Sequence, residues 1–252
     1  MATQSNLMGA PQDRARRSEE KRRQVLRFLR QEIWSSPDIL GSVMGLGSRT
    51  AAHKNLHRME TEGLLRRHQV QGLGGGTLTL WGITPHGQGL AFELGTEEPL
   101  SAYFEPQRVA EQTLRHGLDL QRVRVRLEQA QWTGWQNGDR LSVLLKGGKR
   151  PDAMVISPIG ERCAIEIERT IKTTKRYEQV LAAYLQAIKA GEVDRVVWLC
   201  PSAALAARLR TIVCGIKEVV IQRQRYSVDP QRHHAALEFY GLKDWPRGGR
   251  EI

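Results

Sequence analysis

The chain has 252 residues, with 38 Lys and Arg against 27 Asp and Glu and a formal net charge of +11. That length holds one large domain or two small ones without disulfide or metal staples, and two is the better starting expectation. The basic excess suits a polyanion, nucleic acid first and an anionic membrane surface second, while the lack of any apolar run of about 18 residues argues against a bilayer span and the polar N-terminus lacks a secretory signal.

Residues 1–17 are polar, contain Gly9 and Pro11, and turn basic at Arg14, Arg16 and Arg17; they read as a flexible basic tail. From Ser18, SEEKRRQVLRFLRQEIW places Val25, Leu26, Phe28, Leu29 and Ile33 on one helical face, with Ser18 as the expected cap ahead of Glu19 and Glu20. A second helix is expected over residues 36–44, a turn through Gly45 to Gly47, and a third helix from Ser48 to Glu62 that Gly63 closes. LLRRHQVQGLGGGTLTLWGIT then gives strand, glycine-rich tip and strand, and Thr84, Pro85, His86 and Gly87 open a short helix.

This order, with the phrases NLHRMETEGLLRR and LWGITPHGQGL, resembles a winged helix-turn-helix domain over residues 18–95. The resemblance implies a third helix in the major groove of double-stranded DNA and a wing on the backbone or minor groove. On this chain Ser48, Arg49, Thr50, His53, Lys54 and Arg58 would then face DNA, and Arg66, Arg67 and His68 would flank the wing. The same cations also suit a solvated helix face, or a wing that contacts protein.

TEEPLSAYFEPQ, residues 96–107, reads as a linker punctuated by Pro99 and Pro106. A second domain is expected over residues 108–245, with 246–252 as a tail. RVAEQTLRHGLDLQRVRVRLEQAQ is helical in pattern, with Gly117 as a place to bend. LSVLL, DAMVI and RCAIEIE follow as three short strands, then a helix in KTTKRYEQVLAAYLQAIKAG, a fourth strand in DRVVWLC and a further helix in SAALAARLRTIVCGI. The fold class expected is mixed, α+β or α/β, with an α-β-β-β-α-β order in the second half.

Cys163, Cys200 and Cys214 are far apart in apolar surroundings, which suits reduced core thiols and a cytoplasmic location. No CxxC or paired Cys/His spacing supports zinc.

RCAIEIE alternates, so Cys163, Ile165 and Ile167 point one way and Ala164, Glu166 and Glu168 the other. SPIGE reads as a tight hairpin in which Pro158 sets the turn and Gly160 supplies a left-handed residue. If Ser157 pairs with Glu161, Asp152 falls directly across from Glu166, with beta carbons about 4.5–5.5 Å apart. A carboxylate on a buried strand face is costly unless a positive group answers it. A magnesium or manganese ion is one answer, and it would also bind the phosphate oxygens of a nucleic acid. A structural ion network with Arg150, Arg162, Arg169 and Arg176 is the other.

RPDA on the second core strand and EIE on the third resemble the PD-(D/E)xK nuclease superfamily, the restriction-endonuclease-like fold, over residues 108–200. The resemblance implies Asp152, Glu166 and Glu168 as catalytic and metal-binding residues. Glu168 stands where the superfamily has lysine, and Lys172 or Lys175 on the following helix would return the ammonium. The longer phrases LRHGLDLQRVRVRLEQAQ, RPDAMV and EIERTIKTTKRYEQVLAAY are similar to the replication-relaxation family and to MobC-type plasmid mobilization relaxases. That similarity implies metal-dependent nicking of a transfer origin, with accessory mobilization or coupling proteins as partners. His116 and Tyr177 are accessory candidates, Tyr177 as a nucleophile forming a covalent DNA link or, with Tyr184 and Leu181, as core. A catalytically inactive DNA-binding regulator and a general nuclease without transfer function are the competing expectations.

Overall fold

A computed structural model describes residues 11–71, 76–92, 102–109 and 111–246. The chain divides into two compact units, Met1–Gln121 and Arg122–Ile252. The sequence-derived tail at 1–10, the wing tip at 72–75, the linker at 96–101 and the C-terminal tail at 247–252 lie outside the described residues.

The first unit begins with α1 (Pro11–Glu32), a seven-residue correction to the flexible tail and to the Ser18 cap. Proline at a first helical position gives up no hydrogen bond, and Arg16 pairs with Asp13 at 3.2 Å within the first turns. Farther along α1 the apolar stripe is buried as its spacing requires: Val25, Leu26, Phe28 and Leu29 are all within 4% exposure. After β1 (Trp34–Ser35) come α2 (Pro37–Val43) and α3 (Arg49–Thr61). Ser48 caps α3 by accepting from Ala51 N–H, and Gly63 closes it at φ +72°. Ala52, Leu56 and Met59 form its buried side, and Ala52 sits so close to Gly41 of α2 that a side chain there would crowd it.

β2 (Leu65–Gln71) and β3 (Thr77–Ile83) form the hairpin, and β1 joins the outer side of β3. Thr84 caps α4 (Pro85–Ala91) through Gly87 N–H and donates its hydroxyl back to Gly63 O. The described end of the segment read as a linker is tied to this unit. Phe104 donates its backbone N–H to Ile83 O and lies against Gly82, where a beta carbon would come within 2.3 Å of three ring-side atoms.

The division between units falls inside α5 (Glu111–Gln129), a helix the sequence reading placed wholly in the second domain. Among the described residues the second unit then holds a mixed five-stranded sheet in the order β10-β7-β6-β5-β4. Its strands are β4 (Thr133–Asn137), β5 (Ala153–Ile156), β6 (Arg162–Ile167), β7 (Arg195–Cys200) and β10 (Leu237–Gly241). β4, β5 and β6 run antiparallel, whereas β6, β7 and β10 are parallel neighbours. The crossover between β6 and β7 is α6 (Thr174–Lys189), capped by Thr173; α7 (Ala203–Cys214) follows β7.

The first strand of this sheet corrects the sequence reading. LSVLL at 141–145 is not a strand, and Val143 is 75% exposed. Thr133–Asn137 takes the place beside β5 instead. Its apolar alternation is broken by Gly134 at φ +65° and by a register shift between Thr133 and Gln136, so its period of two is not visible in the letters. A two-stranded hairpin, β8 (Glu218–Ile221) with β9 (Gln224–Ser227), and the parallel strand β10 add to the expected order.

The face of the sheet that carries Ala164, Val196, Trp198 and Cys200 packs against Tyr177, Leu181 and Tyr184 of α6 and Leu209 and Val213 of α7. Trp198 stacks on Phe239 at 4.9 Å and meets Tyr184 edge-on at 5.8 Å. Burial pushes the Cys163 and Cys200 thiols up to about 12, so both are inert packing groups at neutral pH.

Candidate active site

The hairpin that sets the site is short and closed at both ends of its loop. Ser157 N–H donates to Glu161 O at 2.8 Å, Ser157 Oγ accepts from Glu161 N–H at 3.0 Å, and Gly160 takes φ +86°. These bonds fix the ladder Ile156↔Arg162, Val155↔Cys163, Met154↔Ala164 and Ala153↔Ile165. The ladder ends there, and Asp152 lies in a bend immediately before β5. Asp152 N–H donates to Ile165 O at 3.0 Å, and its Oδ2 accepts from Ile167 N–H at 2.7 Å. From Ile156 to Ala153 the register is the one the SPIGE turn predicts.

Glu166 lies on the same side of β6 as Ala164, which is the side α6 covers. Its Oε1 accepts from the Tyr184 hydroxyl and meets Lys149 Nζ at 2.6 Å. Burial first, and the Asp152 charge second, push the Glu166 carboxyl up to about 7. Lys149 and Tyr184 pull the other way and do not offset this. The ionised form of Glu166 is thus disfavoured where it stands.

Glu168 follows on the same side and is only 7% exposed, with Lys172 Nζ at 3.1 Å. The Tyr177 hydroxyl, beside Glu168, accepts from Lys172 N–H at 3.0 Å. Tyr177 and Tyr184, two helical turns apart on α6, thus stand over Glu168 and Glu166 in turn. Tyr177 is 2% exposed, and burial raises its hydroxyl to about 12, which disfavours the phenolate a covalent nucleophile needs. Lys175 is exposed at the start of α6. His116 is half-buried and belongs to the first unit. Arg162, one of the arginines of the alternative ion network, pairs with Asp194 at 3.0 Å.

Among the described residues no group of three or more His, Cys, Asp and Glu is placed to hold a metal ion. Magnesium does not need one, because it is held by one or two carboxylates, with waters and substrate phosphates completing the shell. Asp152 and Glu166 supply such a pair, and the raised Glu166 carboxyl marks a place where added positive charge would be stabilising. The donor set fits a hard divalent ion.

The residue the sequence reading missed is Lys149. It precedes β5 in GGKRPDA, three positions before Asp152, and no alternation announces a side chain on a loop. The signal was the adjacent pair of glycines, which marks a loop with a special path.

In the first unit, Arg49, Thr50, Lys54 and Arg58 are exposed on α3 opposite its buried residues. Ser48 is spent on the cap. His53 is half-buried, its Nε2 without a hydrogen-bond partner among the described residues. Arg58 and Arg67 are drawn to Glu62 and Glu60 at 3.8 and 3.9 Å, while Arg49, Lys54 and Arg66 make no ion pair among the described residues. No helix among the described residues is long and apolar enough to cross a membrane.

No family model matches the chain, and neither a curated protein nor a solved structure matches it.

Proposed function

We propose that the chain is a site-specific DNA endonuclease that nicks one strand at a transfer origin, using a metal-dependent site at Asp152 and Glu166. The observation that carries the reading is the closeness of two carboxylates. Asp152 is near enough for its charge to raise the buried Glu166 carboxyl, in a chain whose net charge is +11. The order α5-β4-β5-β6-α6-β7 supports a restriction-endonuclease-like core. The order α1-β1-α2-α3-β2-β3, with β1 beside β3, supports a winged helix-turn-helix. The transfer-origin substrate is taken from the similarity of the sequence phrases to relaxases.

Asp152 and Glu166 would hold magnesium or manganese. That ion supplies a polarised phosphate and a water acidic enough to attack near neutral pH. Ile167 N–H fixes the Asp152 carboxylate, and the Tyr184 hydroxyl fixes that of Glu166, so neither must reorganise when substrate arrives. Glu168 supports the pair from the next position on the same side, with Lys172 at its carboxylate. Arg49, Lys54 and Arg66 would neutralise phosphates on duplex DNA.

A DNA-binding regulator without catalysis is the second reading, favoured by the lack of a third metal-holding group among the described residues. Supercoiled plasmids with and without a transfer region, incubated with magnesium or with chelator, separate the readings. Magnesium-dependent nicking confined to the plasmid with the region is expected. Retardation of both plasmids with no nicking in magnesium or manganese would leave the regulator.

A further inference from the structure

Lys149 is held in a way that a surface lysine is not. Its ammonium lies 2.6 Å from Glu166 Oε1 with the side chain 17% exposed. It also donates to Arg150 O at 2.8 Å and stands 5.7 Å over the Tyr184 ring. Immobilising a lysine costs side-chain entropy, so the loop that presents it has to be built for the purpose.

The loop has that construction. Leu145 N–H donates to Lys149 O at 3.1 Å, and Gly148 N–H to Leu145 O at 2.9 Å, which closes a turn ahead of the lysine. Lys146 N–H donates to the Glu192 carboxylate at 2.6 Å. Gly147 takes φ +92° and lies flat on α6, where a beta carbon would come within 2.8 Å of Ala183 Cα. Any side chain at 147 would lift the turn from the helix. Lys172, by contrast, reaches Glu168 from a side chain 55% exposed.

We propose that Lys149 is the catalytic ammonium of this site, supplying from the loop before β5 the cation that position 168 lacks, and that it meets the scissile phosphate beside Glu166. The inference rests on the nuclease reading above. In phosphodiester hydrolysis the water oxygen bonds to phosphorus and the bond from phosphorus to the departing sugar oxygen breaks. The water gives a proton to solvent, and the departing oxygen takes one from solvent. Negative charge gathers on the phosphoryl oxygens on the way, and a fixed ammonium within ion-pair reach stabilises it.

The test uses the full chain with Lys149→Met, Lys149→Arg and, as a control on the same loop, Lys146→Met. Nicking of supercoiled plasmid and binding of Mn2+, read from the spin-resonance signal of the free ion, are measured together. Lys149→Met is expected to slow nicking by about 10²–10³-fold, the cost of losing one preorganised donor. It should bind Mn2+ at least as tightly as wild type, because a cation competing for Glu166 is gone. Lys149→Arg should recover part of the rate, and Lys146→Met should behave as wild type. Nicking by Lys149→Met at the wild-type rate overturns the inference and leaves the nuclease reading in place. Parallel loss of Mn2+ binding and nicking overturns it too, since that is the mark of a merely structural lysine. A wild-type chain that nicks nothing in magnesium or manganese overturns the nuclease reading, and this inference with it.

Discussion

The α3–β2 face of the first unit and the Glu166 neighbourhood of the second treat charge in opposite ways. In the first, the cations of α3 and β2 are exposed, and those that are paired are paired on the surface, as Arg58 with Glu62 and Arg67 with Glu60. Such pairs contribute little, about 0–1 kcal/mol, and a solvated arginine costs nothing to keep. In the second, Glu166 stands under α6, where burial and the Asp152 charge disfavour its ionised form by more than Lys149 and Tyr184 offset. The difference teaches where to look for chemistry. A basic helix face is consistent with DNA and with plain solvation, whereas a buried carboxylate held at a cost is the more specific lead.

The largest effect that would break this contrast is on cleavage. Asp152→Ala and Glu166→Ala should each lower nicking by about 10³-fold or more, the upper range for losing a charge-stabilising group. Fluorescence anisotropy with a duplex should meanwhile show affinity within about twofold of wild type, the range of a sub-kilocalorie change. Loss of duplex binding in either variant would show that the second unit is a binding surface too.

Next in size is stability. Trp198→Ala should cost about 3–5 kcal/mol, the range for truncating a buried aromatic. Trp198 is 2% exposed between Tyr184 and Phe239. Trp81→Ala in the first unit, where the ring is fully buried, should cost a similar amount. Urea denaturation followed by circular dichroism checks both. If the units unfold separately, each variant shifts its own transition; a single shifted transition for both would mark one cooperative block.

The carboxylate pair was legible in the sequence because three local rules agreed. RCAIEIE alternates, SPIGE has the residues of a three-residue turn, and the turn fixes a register that holds as far as Ala153, which brings Asp152 near Glu166. The α3 boundaries were legible for a similar reason, with Ser48 and Gly63 as start and stop signals. What failed lacked a local rule. LSVLL has the composition of a strand but pairs with no strand among the described residues, while TGWQN has a bulge and few apolar letters yet pairs with β5. Lys149 reaches Glu166 through a turn seated on α6, a contact between segments far apart in the chain. The two helical turns from Pro11 were hidden by a basic composition that suits a solvated coil equally well.

A smaller effect follows from the raised Glu166 carboxyl. A group whose folded pKa exceeds its unfolded value contributes stability that is fully present below the unfolded pKa and is lost as pH rises through the folded one. The metal-free protein should therefore lose a few kcal/mol from this group between about pH 4.5 and about pH 7. Urea melts across that window check it. Glu166→Gln should flatten the slope; an unchanged slope would mean that the carboxyl is not strained.

The smallest effect belongs to the first unit. Arg49→Ala and Lys54→Ala should each reduce the slope of log affinity against log salt by about 0.9, the value for one phosphate contact. Arg58→Ala, already engaged by Glu62, should reduce it less. Equal slopes for all three variants would make α3 a solvated face and move the DNA contact elsewhere.

The measurement that bears most directly on the paired carboxylates is calorimetric titration of Mn2+ into the wild-type chain and into the Asp152→Asn, Glu166→Gln double variant. One ion bound per wild-type chain, with none in the double variant at equal circular dichroism, is the predicted result. No binding by wild type, or binding of equal strength by the double variant, would contradict the account.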